Sequence, residues 1–272
     1  AIGQNVKTHI PIVGDIRRVL RILNQEVEEA THTEWLDEIE ELRRQHPSLR
    51  LRDKPTLTMQ YILKQLSDIT QGKATIVTGV GQHQMWAAQF LDFDKPNNWL
   101  CSSGLGAMGY GLPAAMGAQV AFPDRQVINI EGDGSFLMNI QELQTLKIEN
   151  IAVKNIILNN AHLGMVAQWE DRFYKSIRGH TFIGDANFAE VAHAFGIKSE
   201  TIYNPKDVVP ALKRMLKHKG PYVLDVKYPY NDKSHGHVMP MIPTNHTYLD
   251  TCLDASTSLR DYWKKKGLLK DD

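Results

Sequence analysis

Several markers of specialised protein classes are scarce or missing in this sequence of 272 residues. It has two cysteines, Cys101 and Cys252. They are too few and too far apart for a disulfide framework or a Cys-x-x-Cys metal site, so a reducing compartment is expected. Net charge is absent, with 31 Lys+Arg against 31 Asp+Glu, which removes the electrostatic reason for binding nucleic acid or an anionic membrane. The run Lys264-Lys265-Lys266 reads as a solvated helix end. There is no internal repeat, no low-complexity stretch, no charged-then-apolar leader and no initiator Met. A chain that opens Ala-Ile-Gly-Gln-Asn is expected to belong to a longer one. One segment lacks charge altogether: Pro96 to Pro123 is long enough to span a bilayer. Its glycines Gly104, Gly106, Gly109, Gly111 and Gly117, with Pro113, make it poor in lipid-facing residue types. It reads instead as a buried loop and helix beside a ligand.

What is present is ordinary globular composition, 42% hydrophobic and 23% charged, arranged in two styles. Residues 1–13 are short and apolar and read as the end of a preceding domain. Asp15 then caps a helix with Ile16, Val19, Leu20 and Leu23 as its buried face. A second helix starts near Thr33, carries Trp35, Leu36, Ile39 and Leu42 as its stripe, and stops at His46-Pro47. Residues 14–55 form a charged helical connector too small to bury a core. From 56 to 230 the pattern alternates. Helices are predicted at about 58–69, 84–91, 107–121, 139–148, 187–195 and 206–218, and strands at about 74–78, 126–131, 153–158, 199–203 and 222–228. Short strands that are apolar on both faces, alternating with helices, predict an α/β fold with a doubly wound parallel sheet and helices on both faces. Residues 231–272 read as a tail covering the active site.

Ligand sites of such a sheet lie beyond the carboxyl ends of its strands, and two motifs fall there. Val127 to Ile130 runs into Glu131-Gly132-Asp133-Gly134-Ser135. Two glycines around one carboxylate let backbone N–H groups face an anion while Asp133 meets a cation. An Asp-Gly pair alone is commonly a turn. The strand Val153 to Leu158, however, ends in Asn159-Asn160-Ala161-His162-Leu163-Gly164. Two such strand ends separated by one helix can converge on a hard cation through oxygen ligands.

These motifs resemble the thiamine diphosphate signature, Gly-Asp-Gly and then Asn about 25 to 30 residues on. The likeness extends to Thr78-Gly79-Val80-Gly81-Gln82-His83-Gln84-Met85-Trp86, to Gly104-Leu105-Gly106-Ala107-Met108-Gly109 and to Leu163-Gly164-Met165-Val166-Ala167-Gln168-Trp169-Glu170. Together they are similar to the catalytic subunit of the acetohydroxyacid synthase (acetolactate synthase) family from about residue 5 to 243. The resemblance implies a thiamine diphosphate-binding fold. It implies Mg2+ held by the side chains of Asp133 and Asn160 and the backbone carbonyl of His162, and a diphosphate facing Val80, Gly81, Gln82, His83, Gly134 and Ser135. Gly106, Leu163, Gly164 and Met165 join the cofactor site, with Met108 wedged between the two cofactor rings. Met165, Val166 and Trp169 would line the substrate pocket. By residue type alone Met108 reads as core, Trp169 as packing and His83 as a turn histidine.

The activity implied is that of a transferase in branched-chain amino-acid biosynthesis. Pyruvate is decarboxylated and the remaining two-carbon unit joined to a second pyruvate or 2-oxobutyrate. The glutamate that activates the cofactor would lie outside this chain, since neither Glu131 nor Glu170 stands where the family's acid would. FAD would lie mostly outside as well. A homodimer or tetramer through further domains and a regulatory subunit are implied, in a bacterial cytoplasm or a eukaryotic plastid or mitochondrion. Ser103, and Thr244 after Met241-Ile242-Pro243, depart from the family pattern. His235-Gly236-His237 lacks a third ligand and is not read as a metal site. Two other readings stay open: the diphosphate-binding subunit of another split thiamine-dependent 2-oxo acid enzyme, and a non-catalytic cofactor-binding module.

Overall fold

A computed structural model describes residues 2–45, 56–228 and 230. The chain divides into two compact units, residues 1–47 and 48–272. In the first, α1 (Ile16–Glu26) begins at Asp15, whose side chain accepts the Arg18 N–H at 3.1 Å. The second helix, α2 (Thr33–Gln45), has Glu34 in its first turn and Arg43 and Arg44 in its last, charges that complement the helix dipole. Neither helix buries a residue. The faces expected to be buried stay open, with Leu20 50% and Trp35 63% exposed. Periodicity located both helices, yet two short helices enclose no interior to pack into. The His46-Pro47 stop lies outside the described residues. So does the tail with His235-Gly236-His237, Thr244 and its neighbours.

The second unit is built on six strands, all parallel: β1 (Thr75–Thr78), β2 (Trp99–Cys101), β3 (Val127–Gly132), β4 (Lys154–Asn159), β5 (Lys198–Ile202) and β6 (Tyr222–Lys227). Their order is β2-β1-β3-β4-β6-β5, with Val77 opposite Asn129 and Ile130 opposite Ile156 in register. Helices α3 (Met59–Thr70), α4 (Gln82–Phe90) and α10 (Pro205–Lys217) cover one face. There Ile62, Leu66, Trp86, Leu212 and Met215 pack on Ile128, Ile130, Ile156 and Leu224. Helices α5 (Gly111–Ala121), α6 (Asp133–Leu137), α7 (Glu142–Ile148) and α9 (Phe188–Ala194) cover the other, where Leu112, Phe136, Leu143 and Phe188 meet Val77, Ile157 and Val223. α8 (Gly164–Phe173) follows β4 at the carboxyl edge.

The α/β alternation stands, with most strand and helix limits within a few residues of those predicted. Three differences matter. The uncharged segment holds a strand, β2, too short for a three-residue pattern to declare itself. Its loop is not buried: Leu105 is 96% exposed, and α5 starts at Gly111 rather than 107. Gly109 has φ +82, left-handed backbone that a right-handed helix cannot include, and Pro113 then occupies the first turn, where its missing N–H costs nothing. Finally, the segment expected only to line a pocket carries a helix, α8. Among the described residues no helix is long and apolar enough to cross a membrane.

The two-sided core sets an expectation for stability. Ile156 is fully buried on a central strand while Ile148 is 67% exposed. Ile156→Ala should cost about 2–5 kcal/mol, read as a lower urea midpoint at unchanged slope, whereas Ile148→Ala should stay within about 0.5 kcal/mol.

Candidate active site

The strand order reverses between β1 and β3: the chain crosses from β1 out to β2, then returns to lay β3 on the other side of β1. A crevice opens at such a reversal, beyond the carboxyl ends of the strands. A cleft of about 560 Å³ lies there. Val80, Gly81, Gln82 and His83 line it from the β1–α4 turn, Met108 from the loop before α5, and Asp133, Gly134 and Ser135 from the β3–α6 turn. Asn160, His162, Leu163, Gly164, Met165 and Val166 line it from the β4–α8 turn. The sheet thus brings together fourteen of the sixteen singled-out residues. Gly106 is not among them, lying exposed with nothing within 4 Å of a Cβ built there. Trp169 is not among them either; it packs edge-on against Phe173 at 5.8 Å. Gly132 of the Gly-Asp-Gly motif lines the cleft as well, and so do Met59 and Leu158, two residues that nothing but their position distinguishes from the core.

Asp133 is 4% exposed. One of its oxygens accepts the N–H of Gly134 at 2.8 Å and the other that of His162 at 3.2 Å. Burial pushes its carboxyl up to about 6, and every group pulling it back is a backbone amide: those of Gly134, Ala161, His162 and Asn160. The His162 N–H is shared with Asn160 Oδ1 at 3.1 Å, so the Asp133 and Asn160 oxygens meet at one point. The far side of this turn is held by the Leu163 N–H on Thr181 and the Ile183 N–H on Ala161. The His162 ring stacks on Tyr230 at 4.9 Å.

Deeper in, Gln82 donates to Gln168 at 2.9 Å, tying α4 to α8. Gly164 makes this approach possible, since a Cβ there would lie 2.3 Å from Gln82 Oε1. His83 and Glu131 are both buried, with His83 Nε2 3.8 Å from Glu131 Oε2. Burial pushes the His83 imidazole down to about 3 against a smaller upward pull from the Gly79 backbone. It pushes Glu131 up to about 8 against the Ser135 hydroxyl and the Leu112 and Gly111 backbone. Both are therefore neutral at pH 7, and their contact is not an ion pair. None of the polar groups around Glu131 closes a hydrogen bond of normal geometry, which is why burial decides its protonation. Glu170 is committed elsewhere, accepting from Gly179 N at 2.9 Å and Thr181 Oγ1 at 3.0 Å.

A parallel α/β sheet with a buried carboxylate, glycine turns and an Asn-bearing turn converging at its switch point defines a domain for an anionic, diphosphate-type cofactor. Comparison with known proteins agrees. Residues 79–226, more than half of the chain, match the family model for the thiamine pyrophosphate enzyme, C-terminal TPP binding domain, and the chain belongs to that family. Relatives include acetolactate synthase 3, chloroplastic, of Brassica napus, 45% identical over 268 residues, covering 93% of this chain and 40% of that protein. Acetolactate synthase 2, chloroplastic, of Zea mays is 44% identical, covering 93% and 41%. The Arabidopsis thaliana acetolactate synthase, chloroplastic, is 44% identical, covering 95% and 40%. The chain spans about 40% of the length of the curated relatives it matches.

The buried pair sets a pH dependence. A carboxyl whose pKa is raised on folding takes up a proton in the native state, so stability falls as pH rises from its unfolded value toward about 8. The depressed His83 acts in the opposite sense but only up to its unfolded value of 6.5. Between pH 6.5 and 8, urea midpoints should fall by the equivalent of about 1–2 kcal/mol in the wild type and by clearly less in Glu131→Gln.

Proposed function

We propose that this chain is the diphosphate-binding part of an acetolactate synthase that uses thiamine diphosphate and Mg2+. In this reading it decarboxylates pyruvate and joins the two-carbon unit to a second pyruvate or to 2-oxobutyrate, in branched-chain amino-acid biosynthesis. The observation that carries the reading is the convergence of Asp133, Asn160 and the His162 backbone at the switch point, in a chain 44–45% identical to acetolactate synthases.

The donor set suits the ion. Among the described residues no group of three or more His, Cys, Asp or Glu is placed to hold a metal. Mg2+ instead takes one or two carboxylates and fills its remaining positions with phosphate oxygens and water. Asp133 supplies the carboxylate, with the Asn160 amide oxygen and the His162 carbonyl beside it. A buried carboxylate faced only by amides is the group that a cation would relieve.

When bound, the cofactor supplies the electron sink for decarboxylation. The work left to this chain is binding and orientation. Val80, Gly81, Gln82, His83 and Ser135, which line the cleft, would hold the diphosphate, with His83 as a neutral ring. Met108, an unbranched side chain on the cleft wall whose methyl lies 3.5 Å from a Cβ built at Gly134, would supply apolar bulk against the cofactor. Leu163, Gly164 and Met165 extend the cofactor wall. Met165 and Val166 would line the substrate side of the cleft, with Trp169 further along α8. The activating carboxylate is assigned to a domain outside this chain, as are most of the FAD site and the surfaces for a homodimer or tetramer and a regulatory subunit. A plastid is the proposed compartment in a eukaryote, with a mitochondrion or a bacterial cytoplasm as the other settings of the family.

Titration calorimetry of the full-length protein with thiamine diphosphate and Mg2+ tests the site. Asp133→Ala should abolish the Mg2+-dependent binding, and unchanged affinity would remove the metal assignment. The same protein should convert pyruvate to acetolactate, and Asp133→Ala should lower that rate by at least about a hundredfold; wild-type protein that makes no acetolactate would refute the activity.

A further inference from the structure

We propose that Asp225, on β6 and outside the cleft, is a positioning residue for the cation turn, acting through Asn159. The inference rests on the Asp133–Asn160–His162 reading above. Asp225 is fully buried. Its Oδ1 accepts from Asn159 Nδ2 at 3.1 Å and its Oδ2 from the backbone N–H of Phe188 at 3.0 Å, at the start of α9. The second amide proton of Asn159 goes to the Ala186 carbonyl at 3.0 Å. Both N–H bonds of that amide are therefore spoken for, and its orientation has no freedom left. Asn159 Oδ1 is turned to the backbone N–H of Ala161, 3.3 Å away.

Ala161 is where the turn needs holding. Its φ is +61, left-handed backbone that a residue with a Cβ adopts at a cost. It stands between the two ligand-bearing residues, Asn160 and His162. The left-handed step brings the His162 N–H back onto Asp133 Oδ2 and Asn160 Oδ1. A carboxylate on the neighbouring strand thus fixes an amide, the amide fixes one strained residue, and that residue sets the spacing of the oxygens meant for the cation. Asparagine at 225 would offer one acceptor to two donors. It could also donate to Asn159 Oδ1, turning the amide over and withdrawing the acceptor from Ala161.

The test is Mn2+ binding to the full-length protein with thiamine diphosphate present, read by electron paramagnetic resonance far below the unfolding midpoint. Asp225→Asn should weaken Mn2+ by about tenfold, in the range typical of residues that orient metal ligands. Adding Ala161→Gly should recover affinity to within about threefold of wild type, because glycine takes the left-handed conformation without penalty. A loss of packing alone would not be repaired by that second change. If Asp225→Asn does not fold, Asn159→Ala with and without Ala161→Gly carries the same expectation. The proposal is overturned by an Mn2+ affinity within about twofold of wild type, or by a loss that Ala161→Gly leaves untouched. Wild-type protein that binds no Mn2+, or Asp133→Ala that binds it normally, would instead bring down the cation-site reading and this inference with it.

Discussion

A carboxylate removed from water must be met by hydrogen-bond donors or a cation, and backbone amides meet Asp133. Its oxygens face the amides of Gly134, on its own turn, and of Asn160, Ala161 and His162, on the next strand's turn. Two strand ends are thereby locked at one spacing. That spacing fixes where the Asn160 side chain points, where α8 begins and how wide the cleft is. The arrangement is incomplete by itself, since amides at about 3 Å moderate a buried charge and do not neutralise it. A domain built this way can receive an anionic cofactor at its strand ends, and its family, the thiamine pyrophosphate enzymes' C-terminal TPP binding domain, agrees with that.

The sheet makes the lock possible by dividing its two faces. Toward α3, α4 and α10 the central strands present Ile128, Ile130, Ile156, Leu158, Leu224 and Val226, an apolar layer with no polar duties. The alternate positions face the other way and include Asn129, Glu131, Asn155, Asn159 and Asp225, all buried. Asn129 donates to Asn155, and Asn155 to the Tyr222 carbonyl, so polar contacts cross three strands. Buried networks of this kind hold one geometry because any slip leaves a group unpaired. Both faces thus carry apolar packing, and the second adds the polar contacts that align the strand ends.

Much of this was legible from residue order. The apolar strands needed only their own composition, because a strand buried on both sides has nothing to alternate with. Gly132-Asp133-Gly134 and Asn160 stood out because a carboxylate and an amide each ending a strand are costly as ornaments. β2 escaped notice because three residues beside glycines and a proline carry no period. The exposed faces of α1 and α2, and of the loop at Leu105, were misjudged for a common reason: hydrophobicity states that a surface should be covered, and nothing local states by what. Gly106 and Trp169 were assigned to the site by likeness alone, and they are not among the residues lining the cleft.

By itself the sequence determined the class of fold, the identity of the turns and the chemistry each could offer, since period, capping and residue type act over a few neighbours. Only the tertiary structure decided which turns meet. The reversal of strand order between β1 and β3 put the His83 ring against Gly132, and the Asn129–Asn155 contact helped align neighbouring strands. Asp225 reached back 66 residues to Asn159. Protonation was decided there too. His83 and Glu131 are an ordinary base and acid in the sequence, and become two neutral groups because the fold removes water from both.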